Sequence, residues 1–300
     1  MDNTKRLERI SRDELQAVRR TLQAEQRKLM VRRFFHSRLA VIGAVIVLLM
    51  ALTAIFAPLL APADPLAQTV SHRLTPPGGA YPLGTDKLGR DLLSRIIYGA
   101  RVSMVVGVSV GLSSMVFGMI IGLYASYYET LDGVLMRICD GLSAIPSTLL
   151  AIALMAVLGS GVMNVILALS IVYIPRMARI ARSAALVVKE QTYLEALRSQ
   201  GASATRIIWR HIAPNILSPV VVQASYNFAN SIITEAALSF LGVGVPAPQP
   251  SWGNILSEGR EVINSAWWMI VYPGIATALA VMGTNIFGDG LRDILDPHTN

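Results

Sequence analysis

The sequence predicts an all-α membrane protein of six transmembrane helices, and three observations predict it. Apolar residues fill 53% of 300 positions, charged residues only 15%, and the charges gather in blocks that leave long windows with none. A soluble chain of this length would place a charge on the polar face of each amphipathic helix every turn or so, and those charges are missing. The net charge of +7 is compatible with a nucleic-acid partner or with basic loops beside anionic lipid. Its clustering between apolar windows favours lipid and no nucleic acid.

Span one is predicted over residues 39–61, because no charge lies between Arg38 and Asp64. At about 1.5 Å per residue, such a helix crosses a hydrocarbon layer of about 30 Å. Span two is predicted over 103–124, inside the window from Arg101 to Glu129. It holds Gly107, Gly111, Gly118 and Gly122, two small-xxx-small pairs that let neighbouring helices approach closely. Between Asp140 and Arg176 lie 35 uncharged residues, about 50 Å as one helix and far too long for a single crossing. The window is therefore a hairpin, turning at Gly159-Ser160-Gly161, with span three over 142–158 and span four over 163–180. Both spans are short, Pro146 and Pro175 are placed to bend them, and helical turns outside the membrane can extend them. Span five, over 216–243, contains Glu235; span six, over 266–288, fills the window between Glu261 and Asp289.

Six spans put both termini on one side. The face shared by the termini carries 20 Lys and Arg and the opposite face 6, so the termini are predicted to be cytoplasmic. Residues 39–297 form one membrane domain after a cytoplasmic arm, residues 1–38. That arm is polar and charged, without the apolar run and small-residue cleavage site of a secretory signal, and a cleaved signal is not expected. Its apolar positions Leu15, Val18, Leu22 and Leu29 fit a surface helix, although a simple solvated charged helix is the favoured reading.

Little in the chain suggests chemistry. Cys139 is alone and the four histidines, His36, His72, His211 and His298, are scattered, so neither a disulfide framework, a metal site nor a cofactor is expected. Gly107-Val108-Ser109-Val110-Gly111 matches a nucleophile elbow, but that motif requires a sharp strand-to-helix turn and here it lies inside an apolar span. None of the four lysines, Lys5, Lys28, Lys87 and Lys189, follows a phosphate-cradling glycine loop, so ATP hydrolysis is not expected of this chain. An ion-coupled carrier would need several mid-membrane ionisable groups. Glu235 alone stands clearly within a predicted span. It is either a functional carboxylate or a residue near the outer end of span five that bonds a neighbouring helix.

The inner connection from Arg176 to Pro214 is too long for a turn. Gln191 to Ser199 reads as a helix, Gly201 as its left-handed stop, Ser203 as an N-cap, and Ala204 to Ile212 as a second helix. Tyr193, Leu197, Ile207 and Trp209 give this helix pair an apolar side suited to a groove in a partner, to burial against its own bundle, or to interfacial lipid.

Glu195-Ala196-Leu197, with Gly201 six residues after the glutamate and Pro214 thirteen beyond that, resembles the E-A-A loop of bacterial ATP-binding-cassette importer permeases. Further family-like motifs are Leu83-Gly84-Thr85-Asp86-Lys87-Leu88-Gly89-Arg90-Asp91, Ala144-Ile145-Pro146, Glu235 to Gly242, Ser251-Trp252-Gly253, and Gly288-Asp289-Gly290-Leu291-Arg292-Asp293. Together they resemble the C-type inner-membrane permease of the dipeptide, oligopeptide and nickel transport family over about residues 38–297. The amino-terminal arm lies outside that resemblance. Leu197, His211 and Ala213 depart from the general loop pattern.

The resemblance implies a type I importer fold in which Glu195, Ala196, Gly201 and Pro214 belong to a coupling helix seated in a cleft of an ATPase subunit. It implies a second homologous permease as heterodimer partner, two ATP-binding subunits, and a periplasmic solute-binding protein. The outer segment from Pro62 to Ala100, carrying Gly84, Thr85, Asp86, Gly89, Arg90 and Asp91 and ending in an amphipathic helix over Leu88 to Tyr98, together with Val245 to Trp252, would receive that binding protein or merely cap the bundle. Peptides are the expected solute, with nickel, glutathione, opines or sugars as alternatives. Outside this class stand an ion-coupled carrier, which needs no ATPase, and a membrane scaffold, which transports nothing.

Overall fold

The computed structural model describes residues 34–295 together with Thr21, Glu25 and Arg32. The expected surface helix around Leu15 to Leu29 lies outside the described residues. Among those described, the secondary structure is helical, with only isolated bridges at Gly78 to Tyr81 and Thr85 to Asp91.

Helix α1 (Arg38–Ile55) starts at Ser37, whose hydroxyl accepts from the Ala40 N–H at 3.3 Å. The chain breaks at Phe56 and resumes as a single turn, α2 (Ala57–Leu60), so regular span-one helix stops short of residue 61. Helix α1 lies against the last helix, α11 (Trp268–Leu295), through glycines on both sides. A Cβ on Gly43 would meet the Phe287 nitrogen at 2.4 Å, and one on Gly290 would meet the Ala40 Cβ at 2.4 Å. Such contact replaces the hydrophobic driving force that is missing between helices in lipid.

Helix α3 (Leu92–Tyr127) corrects the expectation of a separate outer amphipathic helix followed by a span over 103–124. It is one continuous helix of 36 residues. The Asp91 carboxylate caps its first turn, accepting from the Ser94 N–H at 2.7 Å, and no proline or cap residue interrupts it before Tyr127. Both glycine pairs act as predicted. Gly107 and Gly111 face Phe228 of α9 (Leu217–Phe240), while Gly118 and Gly122 face Met177, Ala178 and Ala181 of α6 (Val162–Lys189). Ser109 lies inside a continuous helix, not on an elbow.

The predicted hairpin is present, and Gly159 and Gly161 supply its turn at φ of 81° and 157°. Span three over 142–158 is corrected. The straight helix α5 (Ser147–Leu158) has 12 residues, about 18 Å and too short to cross alone. It is preceded by α4 (Glu129–Ser143), bent away from it by 92° at Ala144-Ile145-Pro146. A proline disfavours helix at the residue before it and cannot donate a hydrogen bond, which is why the bend falls there. Pro175, by contrast, sits inside α6 without ending it, and α6 continues past the membrane to Lys189.

Among the described residues, helices α1, α3, α6 and α11 are each long and apolar enough to cross a membrane, and the number is five if the bent α4–α5 pair counts as one broken span. Helix α9 matches the predicted fifth span in position but buries Gln223, Asn227, Thr234 and Glu235. Gln223 donates to Asn227 within α9 at 2.7 Å, and the others bond across helices. The Asn227 amide donates to Ser114 of α3 at 2.9 Å, and Tyr173 of α6 shares a 2.9 Å hydrogen bond with Thr234.

Candidate functional site

The family-like residues fall into two groups at opposite ends of α3. At the Tyr127 end, α7 (Thr192–Ser199) follows Gln191, and the chain then turns at Gly201, whose φ is 78°. The Gly201 N–H donates to the Arg198 carbonyl at 2.9 Å and the Ala202 N–H to the Leu197 carbonyl at 3.0 Å, the hydrogen-bond pair of a Schellman stop. Ser203 has the extended backbone of an N-cap, yet its side chain makes no capping bond, which corrects the expected capping role.

The second helix also differs from expectation. Helix α8 (Ala204–Ile207) passes into a π-helical turn (Ile208–Ile212), a 3-10 turn (Ala213–Ile216) and then α9, so the helix pair runs without a gap into span five. Pro214 causes the irregularity, since it lacks the N–H that a regular helix would use there. The carbonyl of His211 accepts instead from the Asn215 amide at 2.6 Å.

Packing decides which side of this pair is free. Leu194, Ile207, Ile208 and Ile212 are fully buried with Leu123 of α3 and Met177 and Ala181 of α6. Of the three outcomes open to that apolar side, Ile207 takes burial against its own bundle, and Leu197 packs partly against the same cluster. Glu195, Ala196, Gly201 and Pro214 are exposed, as are Tyr193 and Trp209. The pair is tied to α3 by Arg198, which lies over the Tyr127 ring, and beside it Lys189 at the end of α6 donates to the Ser126 carbonyl at 2.9 Å at the C-terminal end of α3. The exposed face thus lies on a helix whose opposite side is fastened to α3 and α6.

At the Leu92 end, Gly84, Thr85, Asp86, Gly89, Arg90 and Asp91 converge on one buried cluster. One oxygen of Asp86 accepts from the Leu88 and Arg90 N–H groups at 2.8 and 3.0 Å, and the other takes Arg90 Nε at 2.5 Å and the Arg95 guanidinium. Glu258, on α10 (Trp252–Arg260), takes both arginines at 2.6 to 3.0 Å. Two carboxylates balance two guanidiniums, and Asp86, Arg90 and Arg95 are all at most 3% exposed. Gly84 and Gly89 hold left-handed backbone, and a Cβ on Gly89 would stand 1.9 Å from the Thr69 carbonyl oxygen. Arg95 and Glu258 were missed as site residues, because Glu258 lies 163 positions from Arg95 and no local spacing links them.

The Ser251-Trp252-Gly253 motif docks α10. Ser251 caps it, the Trp252 indole donates to the Ile96 carbonyl at 3.0 Å, and Gly253 lets the Ala236 carbonyl approach. Glu235 is buried five residues from the end of α9, where it accepts from Ser239 at 2.8 Å and from Ser103 of α3 at 3.3 Å. Ser239 in turn accepts from the Val245 N–H at 3.0 Å. The carboxylate joins two helices and an outer loop.

The sequence model for the binding-protein-dependent transport system inner membrane component matches residues 114–300. The chain belongs to that family. A second model, for the N-terminal transmembrane domain of oligopeptide transport permease C, matches residues 25–77. The family resemblance thus begins inside the arm, not after it. A putative peptide transport system permease protein of Brucella suis is 47% identical over 90% of each chain. A dipeptide transport system permease protein of Alkalihalophilus pseudofirmus is 43% identical over 87% of this chain and 86% of its own, and a glutathione transport system permease protein of Pectobacterium atrosepticum is 44% identical over 89% of each. As an inner-membrane component of this family the chain is a multi-pass, all-α membrane protein with the type I permease fold. Membership implies a binding protein and an ATPase among its partners in general.

Proposed function

We propose that the chain is the permease subunit of an ATP-driven importer that carries di- or oligopeptides across the bacterial inner membrane, glutathione being a tripeptide of the same chemical class. The observation that carries this reading is the α7 surface. Glu195 and Ala196 stand exposed while Leu194, between α3 and α6, fastens the same helix to the spans. In this reading residues 39–297 form six spans, with α9 the fifth and α11 the sixth, and residues 1–38 and the C-terminus are cytoplasmic. A homologous permease completes a heterodimer around the translocation path, and each permease receives one of two ATPases on its coupling helix. ATP-driven closure of the ATPases displaces Glu195, Ala196 and Gly201, and the continuous helical run through Pro214 carries the displacement into α9. The bundle alternates between two states, and a periplasmic binding protein delivers the solute. Glu235 serves here as a structural bond between α3, α9 and the outer loop.

Gly201 separates coupling from folding. A Cβ there meets nothing within 4 Å, so substitution acts through its left-handed backbone, at about 1–2 kcal/mol for an L-residue. Gly201→Val is expected to cut peptide uptake at least tenfold in cells while the protein stays at normal levels in the membrane. Gly201→Asn, which tolerates that backbone, is expected to retain most uptake. Unchanged uptake by Gly201→Val removes the coupling role. For topology, an enzymatic reporter fused after Asn300 is expected to be active only inside the cell, and activity confined to the outside reverses the orientation.

A further inference from the structure

Three arginines line one side of α6 at one-turn intervals, and their fates differ. Arg182 is held by both carboxylate oxygens of Asp132 on α4. Arg179 reaches Asp140 only at 3.9 Å, and Arg176 makes no ion pair or hydrogen bond among the described residues. Arg176 and Arg179 instead line a cavity of about 490 Å³ at the elbow between α4 and α5. Ser143 and Ser147 line it as well, and Ile145, Leu150 and Val172 contribute apolar wall. No side chain caps α5, so the N–H groups of its first turn add positive potential to the same space.

The surroundings give the depth of this cavity. Helix α4 turns 92° away from α5, and its residues Val134 and Ile138 are exposed while Asp132 and Asp140 point at α6. An amphipathic helix lying across the direction of a span, with apolar residues uncovered, has the form of one resting in the membrane interface. The unpaired Arg176 guanidinium and the loosely paired Arg179 one, beside apolar walls in the same cavity, match an anionic headgroup and its acyl chain. A peptide fits less well, because its ammonium and amide groups would find no carboxylate on the cavity's lining. Free phosphate would leave the apolar walls uncovered.

We propose that this cavity binds the phosphate of an anionic phospholipid, clamped by Arg176 and Arg179, with an acyl chain along Ile145 and Leu150. The proposal requires a bilayer around the chain and is independent of the transported solute. It is tested by native mass spectrometry on the full-length protein extracted from membranes in mild detergent, with phosphatidylglycerol or phosphatidylcholine added. The unmodified protein is expected to retain phosphatidylglycerol at least tenfold better than phosphatidylcholine, and equal retention overturns the proposal without any variant. R176Q/R179Q is expected to lose that preference, whereas R176K/R179K, which keeps the charge, is expected to recover part of it. Undiminished preference in R176Q/R179Q also overturns it. Release of bound phosphatidylglycerol by millimolar inorganic phosphate would mark a small-anion site, and release by a free-carboxylate dipeptide but not its amide would mark a cargo site; either result refutes the lipid assignment. If the unmodified protein retains phosphatidylglycerol, R176Q/R179Q loses that preference and peptide uptake is unaltered, the lipid assignment stands and the transport reading is untouched.

Discussion

Asp86→Ala is expected to destabilise the folded chain by about 3–5 kcal/mol, the cost of removing one partner from a buried ion pair. The substitution leaves Arg90 and Arg95 sharing Glu258 alone, and it strips the Leu88 and Arg90 N–H groups of their acceptor. Most of the loss comes from guanidinium charge left without a counter-ion away from water, not from the Coulomb energy of the pair itself. Lys87→Met is the control. Lys87 pairs with Glu261 at 2.7 Å, and that hydrogen bond holds the Glu261 carboxyl below the usual range, but both groups are at the surface. An exposed pair of this kind contributes little. Thermal unfolding of the purified protein in detergent should show a large fall in midpoint for Asp86→Ala and almost none for Lys87→Met. Equal midpoints would show that the cluster is not a structural clamp.

The second large effect is expected at Gly122. A Cβ there would lie 2.6 Å from the Ala178 carbonyl oxygen and 2.7 Å from the Arg182 nitrogen, both backbone atoms of α6. No side-chain rotation relieves that contact, so Gly122→Ile has to force α3 and α6 apart, at about 3 kcal/mol, the upper end of ordinary overpacking costs. Gly141 on α4 provides the comparison, because a Cβ there meets nothing within 4 Å. Gly141→Ala is expected to be neutral or to stabilise by about 0.5–1 kcal/mol through helix propensity. Denaturant titrations of the two variants check both signs, and a Gly122→Ile protein as stable as Gly141→Ala would exclude tight α3–α6 contact.

Gly122 also shows what was legible in the sequence. A small-xxx-small spacing inside an uncharged window depends on only a few neighbouring residues, and so did the Gly159 turn, the bend at Pro146 and the left-handed stop at Gly201. Other features depend on partners distant in the chain. The outer motif was visible as a motif, but its physical role required Glu258 on α10. What covers Ile207 was left open, because helical periodicity reports an apolar face and not what covers it. The fusion of the outer helix with span two was hidden because charges at Arg95 and Arg101 suggested a boundary. In the structure Arg95 is neutralised by Asp86 and Glu258, so the helix had no reason to end.

That uninterrupted α3 has a mechanical consequence. A helix of 36 residues is about 54 Å long, nearly twice the thickness of the oily layer it pierces. Its upper tip is rooted in the carboxylate–guanidinium knot and its lower tip is gripped by Lys189 and Arg198. A rigid mast of that length swings its far end by about 5 Å for each 5° of lean, so what happens on one shore of the membrane is felt on the other without any relay of intermediate contacts.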